Sequence, residues 1–454
     1  MKRVLTLRTV VATSAGLTLA TSTFVAAVQV AGFLAGNSAW LAILVGGCLC
    51  LGAALCFSEL NGRLPSAAGI RLYFSRAFDD RLALTVSILY MAVVMGVVGA
   101  ESYVLASVLN YTFPVLPPAF WIFLMYLLVT LLNIRGIKIA GTFQDVITYG
   151  LILSVVLLSL IAFQKAGFQV PHLFSVGGPA GLVQAVAVGV FLFVGFEWVT
   201  PLAEEVTDIR LVSRGMLIAV GILSIAYALF TVAMTVVVPR DVLTGSPVPH
   251  VLFAESILGR AGLVWTLALS LAASITTFNA GMLSVSRFVY ATAREHALPA
   301  VFSRISMRYF TPWVAIVAVL VVGLGISITV LFTGRYLTLV NLAAAMESLV
   351  YVLAGLAVVS LRRKYPDAPR PYRTPGGAFL PLFTSFVFAV LVFAVVATDL
   401  RAGVALVLGL LLCWWYVQKV VPVLRQRQAA RRQSVRRRPA AQRPGPESLQ
   451  EEKG

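Results

Sequence analysis

Twelve stretches of this chain stay apolar over about 20 residues, and nothing else in it constrains the fold so tightly. A helix rises 1.5 Å per residue, so each stretch is long enough to cross the ~30 Å hydrocarbon layer of a bilayer. Backbone N–H and C=O groups find no water there and must pair within the segment, which makes each stretch a helix. The stretches lie at about 10–35, 38–58, 82–110, 118–134, 143–164, 180–203, 213–238, 262–293, 312–332, 336–360, 378–398 and 400–424. Charged residues make up only 12% of the chain, against roughly a quarter in a soluble protein. The expected fold is an all-α integral membrane protein with about 12 transmembrane helices.

A net charge of +17 would suggest nucleic acid until the charges are placed. Arg63, Arg71, Arg76 and Arg81 follow span 2, Arg135 and Lys138 follow span 4, and Arg210 and Arg214 follow span 6. Arg294, Arg304 and Arg308 follow span 8, and Arg362, Arg363, Lys364, Arg370 and Arg373 follow span 10. Loops of the other parity hold only Lys165, Arg240, Arg260, Arg335 and Arg401. By the positive-inside bias both termini are expected in the cytoplasm, with membrane lipids and no nucleic acid as surroundings. Met1 to Arg8 resembles a signal-peptide start, but no small-residue cleavage site follows a short apolar core, so span 1 is read as retained. Residues 425–454, rich in Arg, Gln and Pro, are expected to form a basic disordered cytoplasmic tail. Arg431, Arg432 and Arg436 to Arg438 could there meet anionic headgroups or simply anchor the topology. Arginine greatly outnumbers lysine, a usage that fits a GC-rich bacterial source, and the expected location is the plasma membrane.

Enzymes fit poorly. There is no Ser/His/Asp set in one region and no nucleotide-binding glycine loop, and His172, His250 and His296 fall in expected loops. Cys48, Cys50, Cys56 and Cys413 lie inside apolar stretches at no metal or redox spacing, so no metal and no cofactor are expected. A channel would want a repeated pore segment. A transporter must hold a polar solute within the bilayer, which calls for broken helices and buried polar groups.

Two spans offer these. Span 1 carries small and hydroxyl residues from Ala12 to Thr23, including Ala20, Thr21 and Ser22. Such residues allow backbone to approach a ligand, although close helix packing favours them equally. Span 6 reads Phe191, Leu192, Phe193, Val194, Gly195, Phe196, Glu197, Trp198, then Pro201, Glu204 and Glu205. Glycine beside a carboxylate with proline soon after is poor chemistry for a continuous helix. A break would expose carbonyls at the end of one half and amides at the start of the next, matching an ammonium and a carboxylate. Glu101 in span 3, Glu197 and Glu347 in span 10 are intramembrane acids: proton carriers, amine ligands, or ordinary interhelix hydrogen-bond partners. Ser274, Thr276 and Thr277 in span 8 could coordinate a sodium ion or bond back to their own helix.

Four segments in register resemble the amino acid–polyamine–organocation permeases. Gly195-Phe196-Glu197 with Ala203-Glu204-Glu205-Val206 is similar to the family's sixth-helix signature. Phe57-Ser58-Glu59-Leu60 with Leu64-Pro65-Ser66-Ala67-Ala68-Gly69 resembles the loop after helix 2. Ser286-Arg287-Phe288-Val289-Tyr290-Ala291 with Ala293-Arg294-Glu295 resembles the end of helix 8, and Leu361-Arg362-Arg363-Lys364 with Pro369-Arg370-Pro371-Tyr372-Arg373 the linker after helix 10. The resemblance implies the LeuT-type 5+5 inverted repeat, at about 10–164 and 180–360 within a transporter domain of residues 1–424. Spans 11 and 12, at 378–424, would be peripheral. It further implies Phe191 as a lid, the carbonyls around Phe193 and Val194 for a substrate amine, and amides near Thr21, Ser22 and Thr23 for its carboxylate.

The chain departs from the family in two places. Ala20-Thr21-Ser22 replaces an element with two glycines, pointing toward a ligand without an α-carboxylate. Where some relatives carry a span 5 lysine, this chain has Tyr149-Gly150-Leu151. The expected function is alternating-access transport of an amino acid or organic amine, with protons as coupling ion, sodium as a further possibility, or by exchange. A polyamine carrier and a transporter-like sensor are the alternatives.

Overall fold

The computed structural model describes residues 3–20, 23, 35–112, 115–167, 185–186, 188–239, 242–243 and 249–437. Among these, ten helices are long and apolar enough to cross a membrane. They are span 2 (Ala39–Arg63), span 3 (Asp80–Thr112), span 4 (Pro118–Arg135), span 5 (Ile137–Lys165) and span 7 (Arg210–Val237). Span 8 (Arg260–Arg294), span 9 (Trp313–Thr333), span 10 (Tyr336–Lys364), span 11 (Phe379–Thr398) and span 12 (Leu400–Arg437) complete the set. Their ends exceed the apolar stretches because hydropathy marks the hydrocarbon layer, whereas a helix continues wherever its residues allow. Span 12 is the extreme case. It runs through position 425, where a disordered tail was expected, because Leu, Arg, Gln and Ala are strong helix formers even outside lipid.

The two expected spans absent from that set are spans 1 and 6. Helix 1 covers Leu7–Thr18 and stops there. Span 6 is helical at 185–186 and 188–191, turns through residues 192–195, and resumes as a 3₁₀ helix over Phe196–Glu204. Span 1 packs against spans 5, 7 and 8 and the 3₁₀ segment, so the interrupted elements lie at the centre of the bundle. Span 8 packs on both, Tyr90 of span 3 and Tyr351 of span 10 reach the 3₁₀ segment, and spans 11 and 12 pack outside on span 10.

Side chains invert the soluble pattern. Leu127, Leu131, Phe386, Phe393, Leu408 and Leu412 are exposed on spans 4, 11 and 12, as lipid-facing residues must be. Glu101, Asn133, Gln144, Glu197, Asn279, Arg287 and Glu347 are buried within. Buried charges and amides in hydrocarbon are expensive without partners, so the interior must be read as a hydrogen-bond network.

Candidate substrate and coupling site

The span 6 break turns on Gly195, whose φ of +106° and ψ of −4° suit a residue without Cβ. A methyl built there would lie 2.7 Å from Leu17 Cδ2, so helix 1 also demands glycine. Tight i→i−3 bonds replace the α-helical pattern: Leu192, Phe193 and Val194 donate to Gly189, Val190 and Phe191 carbonyls. In span 1 the Thr18 carbonyl, freed where the helix stops, accepts Thr23 Oγ1 at 2.8 Å and Tyr227 Oη at 3.1 Å. Ser14 Oγ donates to the Phe196 carbonyl at 2.7 Å and joins helix 1 to the second half of span 6. Each released backbone group named here meets a side chain, as lipid-embedded backbone requires.

Of the expected substrate residues, Ala20 and Thr23 are buried beside the end of helix 1, while Thr21 and Ser22 lie outside the described residues. Phe191 is buried at the end of the first half of span 6, with Val194 buried in the turn. Phe193 and Phe196 point their rings into the scaffold. Phe193 packs edge-on against Tyr227 with centroids 5.7 Å apart, and Phe196 lies between Phe57 and Tyr351. Only their backbones are then available to a substrate.

Two of the three intramembrane acids come together. Glu197 and Glu347 are fully buried, in side-chain hydrogen-bond contact, and both reach the Tyr351 hydroxyl, at 2.9 and 2.8 Å. Tyr90 donates to the other Glu197 oxygen. Glu347 Oε1 also accepts the Gly195 N–H at 3.2 Å, at the helix break itself. A phenol has a single proton, so Tyr351 can donate to one carboxyl only; the other meets it by donating a proton of its own. Two carboxylates in contact away from water cannot both be charged, which leads to the same arrangement. The pair therefore holds a proton, and its bond to the Gly195 amide reaches the backbone that forms the break.

Glu101 stands apart. Its Oε1 accepts Ser274 Oγ at 2.6 Å across spans 3 and 8. Thr277 Oγ1 donates to the Gly16 carbonyl of helix 1 at 3.2 Å, and Thr276 Oγ1 bonds back to Ala273. The three hydroxyls considered for sodium are thus engaged with three different groups.

Several residues here carried no distinctive sequence signal. Tyr90 and Tyr351 read as ordinary span tyrosines. Asn133, Asn279 and Gln144 form a buried amide chain: Asn133 Nδ2 to Asn279 Oδ1 at 2.8 Å, then Asn279 Nδ2 to Gln144 Oε1 at 2.8 Å. Gln144 Nε2 and Thr148 Oγ1 both donate to the Ala12 carbonyl at 3.3 Å. Span 5 therefore faces the middle of helix 1 with Gln144 and Thr148, six and two residues before Gly150, and its first turn with Asp145, which accepts Arg8 Nε and Thr9 Oγ1. Tyr149 also reaches helix 1, donating to the Arg8 carbonyl in its first turn. His250, expected in a loop, sits in a short helix, Pro249–Leu258, and bonds Ser270 of span 8 at 3.0 Å.

The arginine-rich loops meet on one face with Val4 and Leu5 at one end of the chain and Arg425 of span 12 at the other. Glu59 accepts Arg362 Nε and Nη2 at 2.9 and 2.6 Å and the Thr374 N–H at 2.7 Å. Asp80 takes Arg71 and Arg425, and Arg71 also pairs with Glu295. Glu204, the last residue of the span 6 3₁₀ segment, accepts both Arg294 terminal nitrogens and the Ala67 N–H. Burial would raise the Glu204 carboxyl, but Arg294 and the Ala67 amide hold it below the usual carboxylate range. The N-terminal segment is tied in as well, with Val4 and Leu5 N–H groups on the Glu205 carbonyl.

Comparison with known proteins agrees with this architecture. A family model described as amino acid permease matches residues 5–415. The human large neutral amino acids transporter small subunit 2 is 26% identical over 400 residues, covering 81% of this chain and 71% of the relative. The human Asc-type amino acid transporter 1 is 26% identical, covering 82% and 73% respectively. A methylthioribose transporter of Bacillus subtilis (strain 168) is 23% identical, covering 82% and 83%. Among solved structures, a substrate-bound, outward-open Na+-coupled sialic acid symporter superposes with a TM-score of 0.55. It is 16% identical, covers 87% of this chain and 90% of its own, and shares the LeuT-type fold.

Proposed function

Because this chain belongs to the amino acid permease family, we propose that it carries a neutral α-amino acid across the membrane together with a proton. It is a secondary transporter and not an enzyme. The relatives named for large neutral and Asc-type amino acids support the substrate class. On this reading the substrate lies between the breaks of spans 1 and 6, with Phe191 as lid. The carbonyls of Phe193 and Val194 receive its ammonium, and amides around Thr21, Ser22 and Thr23 its carboxylate. The basic face is cytoplasmic, with both termini on that side of a bacterial plasma membrane.

The coupling proton rides on Glu197 and Glu347. The observation that carries this is the bond from the Gly195 N–H to Glu347 Oε1 at 3.2 Å. A second proton on the pair turns an anionic acceptor into a neutral one and weakens its hold on the break, and loss of that proton restores it.

The experiment uses proteoliposomes under an imposed pH gradient, with L-leucine as probe. Glu197→Gln and Glu347→Gln should each lose accumulation against a gradient while retaining leucine counterflow at equal pH. Wild-type accumulation in both variants would contradict proton carriage by the pair.

A further inference from the structure

The coupling scheme leaves unused a buried guanidinium near the basic face. Arg287, in the last turns of span 8, is 0% exposed, and its Nε donates to Glu205 Oε2 at 3.2 Å. Nη1 donates to Ser286 Oγ at 3.0 Å. The ion pair is single-contact, not a fork. Arg287 Nη2 and Glu205 Oε1 have no hydrogen-bond partner among the described residues. A buried arginine pair normally uses both prongs.

Three more buried donors share that condition: Ser284 Oγ, Trp198 Nε1 and Ser87 Oγ. Ser284 precedes Arg287 by one helical turn, on the same face of span 8. Ser87 precedes Tyr90 by one turn on span 3. The Trp198 ring bridges the two helices, 4.8 Å from Tyr90 and 5.8 Å from Phe288, the neighbour of Arg287. Trp198 also follows Glu197 directly in the chain. Interiors leave few donors without a protein partner, and these four occupy one region between the carboxyl pair and the basic face.

We propose that Arg287, Trp198, Ser284 and Ser87 form a second, transient station for the substrate carboxylate on the basic-face half of the pathway. There the carboxylate takes the place of Glu205 on Arg287. The guanidinium stays paired throughout, first with Glu205 and then with the substrate. The released Glu205 carboxylate turns out to water at the basic face, so no lone buried ion forms during release. Displacement also moves the segment that holds the N-terminus, since Val4 and Leu5 donate to the Glu205 carbonyl and Thr207 N–H to Leu5. The exchange of partners thereby loosens the basic face as the substrate arrives. The proposal rests on the reading that the substrate bears a carboxylate.

The test probes the local field without needing the substrate. Ser284→Cys is treated from the basic face with an anionic sulfonate methanethiosulfonate and with its cationic trimethylammonium counterpart, and the unmodified protein supplies the background of its own cysteines. Relative to a free thiol, the anionic reagent should be favoured about tenfold. The preference should vanish when Arg287→Gln and Glu205→Gln are added together, which removes both charges and leaves no unpaired ion. In parallel, Trp198→Phe should raise the half-saturation for L-leucine exchange severalfold from the basic face and leave the opposite face unchanged. Absence of anionic preference, or equal shifts on both faces, overturns the station while leucine transport stands. Anionic preference in a protein that exchanges no leucine keeps the station and overturns the substrate reading.

Discussion

Replacing Gly195 by alanine places two separate strains on one atom. The backbone at φ +106° is one that L-residues rarely adopt, at about 1–3 kcal/mol. The new methyl would also lie 2.7 Å from Leu17 Cδ2 and 2.9 Å from Leu17 Cγ, an overpacking that costs about 1–3 kcal/mol after relaxation. Together they reach about 2–6 kcal/mol, against the 5–15 kcal/mol that holds a typical domain folded. Thermal unfolding of the detergent-solubilised protein should show this as a clear drop in Tm, with leucine counterflow falling in step. A double-mutant cycle with Leu17→Ala separates the terms. The shorter side chain should recover the steric part, leaving a coupling of about 1–3 kcal/mol, while the backbone part persists. A Gly195→Ala protein that melts and transports like wild type would falsify the break, because a continuous helix there would welcome alanine.

Three further outcomes follow from the buried and interfacial contacts. Asn279→Ala strips partners from Gln144 Oε1, Asn133 Nδ2 and the Ala140 carbonyl, and should destabilise by about 2–5 kcal/mol in the same melting assay. Glu59→Gln leaves Arg362 and Arg370 facing each other without their shared anion, so protease should cut the 365–378 linker faster than in wild type. Burial pushes His250, outside the spans, down to about 4 from 6.5, so the unfolded chain takes up its proton first. Stability should then fall as pH drops below about 6.5, levelling off below about 4 with a total loss of about 3 kcal/mol. His250→Phe should flatten that dependence, and an equal slope in both proteins would remove His250 as its source.

How far the sequence reaches depends on the range of the interaction. Hydropathy located the continuous spans because the bilayer acts on each helix separately. Gly195, Glu197 and Pro201 marked the span 6 break because local backbone chemistry decides it. Neither source of information pairs residues across the bundle. Nothing local in span 10 announces that Tyr351 faces Glu197, 154 positions earlier in the chain. The amide chain was invisible for the same reason, with Asn133 and Asn279 separated by 146 positions. Arg287 was legible only as part of a loop-flanking signature; its burial against Glu205 depends on how the end of span 8 meets the end of span 6. Phe193 and Phe196 show the converse. Their placement at the break was readable, but the direction of their rings is set by Tyr227, Phe57 and Tyr351, which the linear pattern does not bring near them.

Proton entry measured alongside substrate entry bears most directly on the carboxyl pair. Proteoliposomes holding the wild-type protein and an internal pH dye, clamped at zero membrane potential and equal pH, would receive a pulse of L-leucine. Internal acidification that follows leucine uptake, absent in Glu347→Gln although that variant still exchanges leucine, is the predicted result. Leucine uptake of the same size with no change in internal pH would contradict the assignment and leave Glu197 and Glu347 as a structural clasp on the span 6 break.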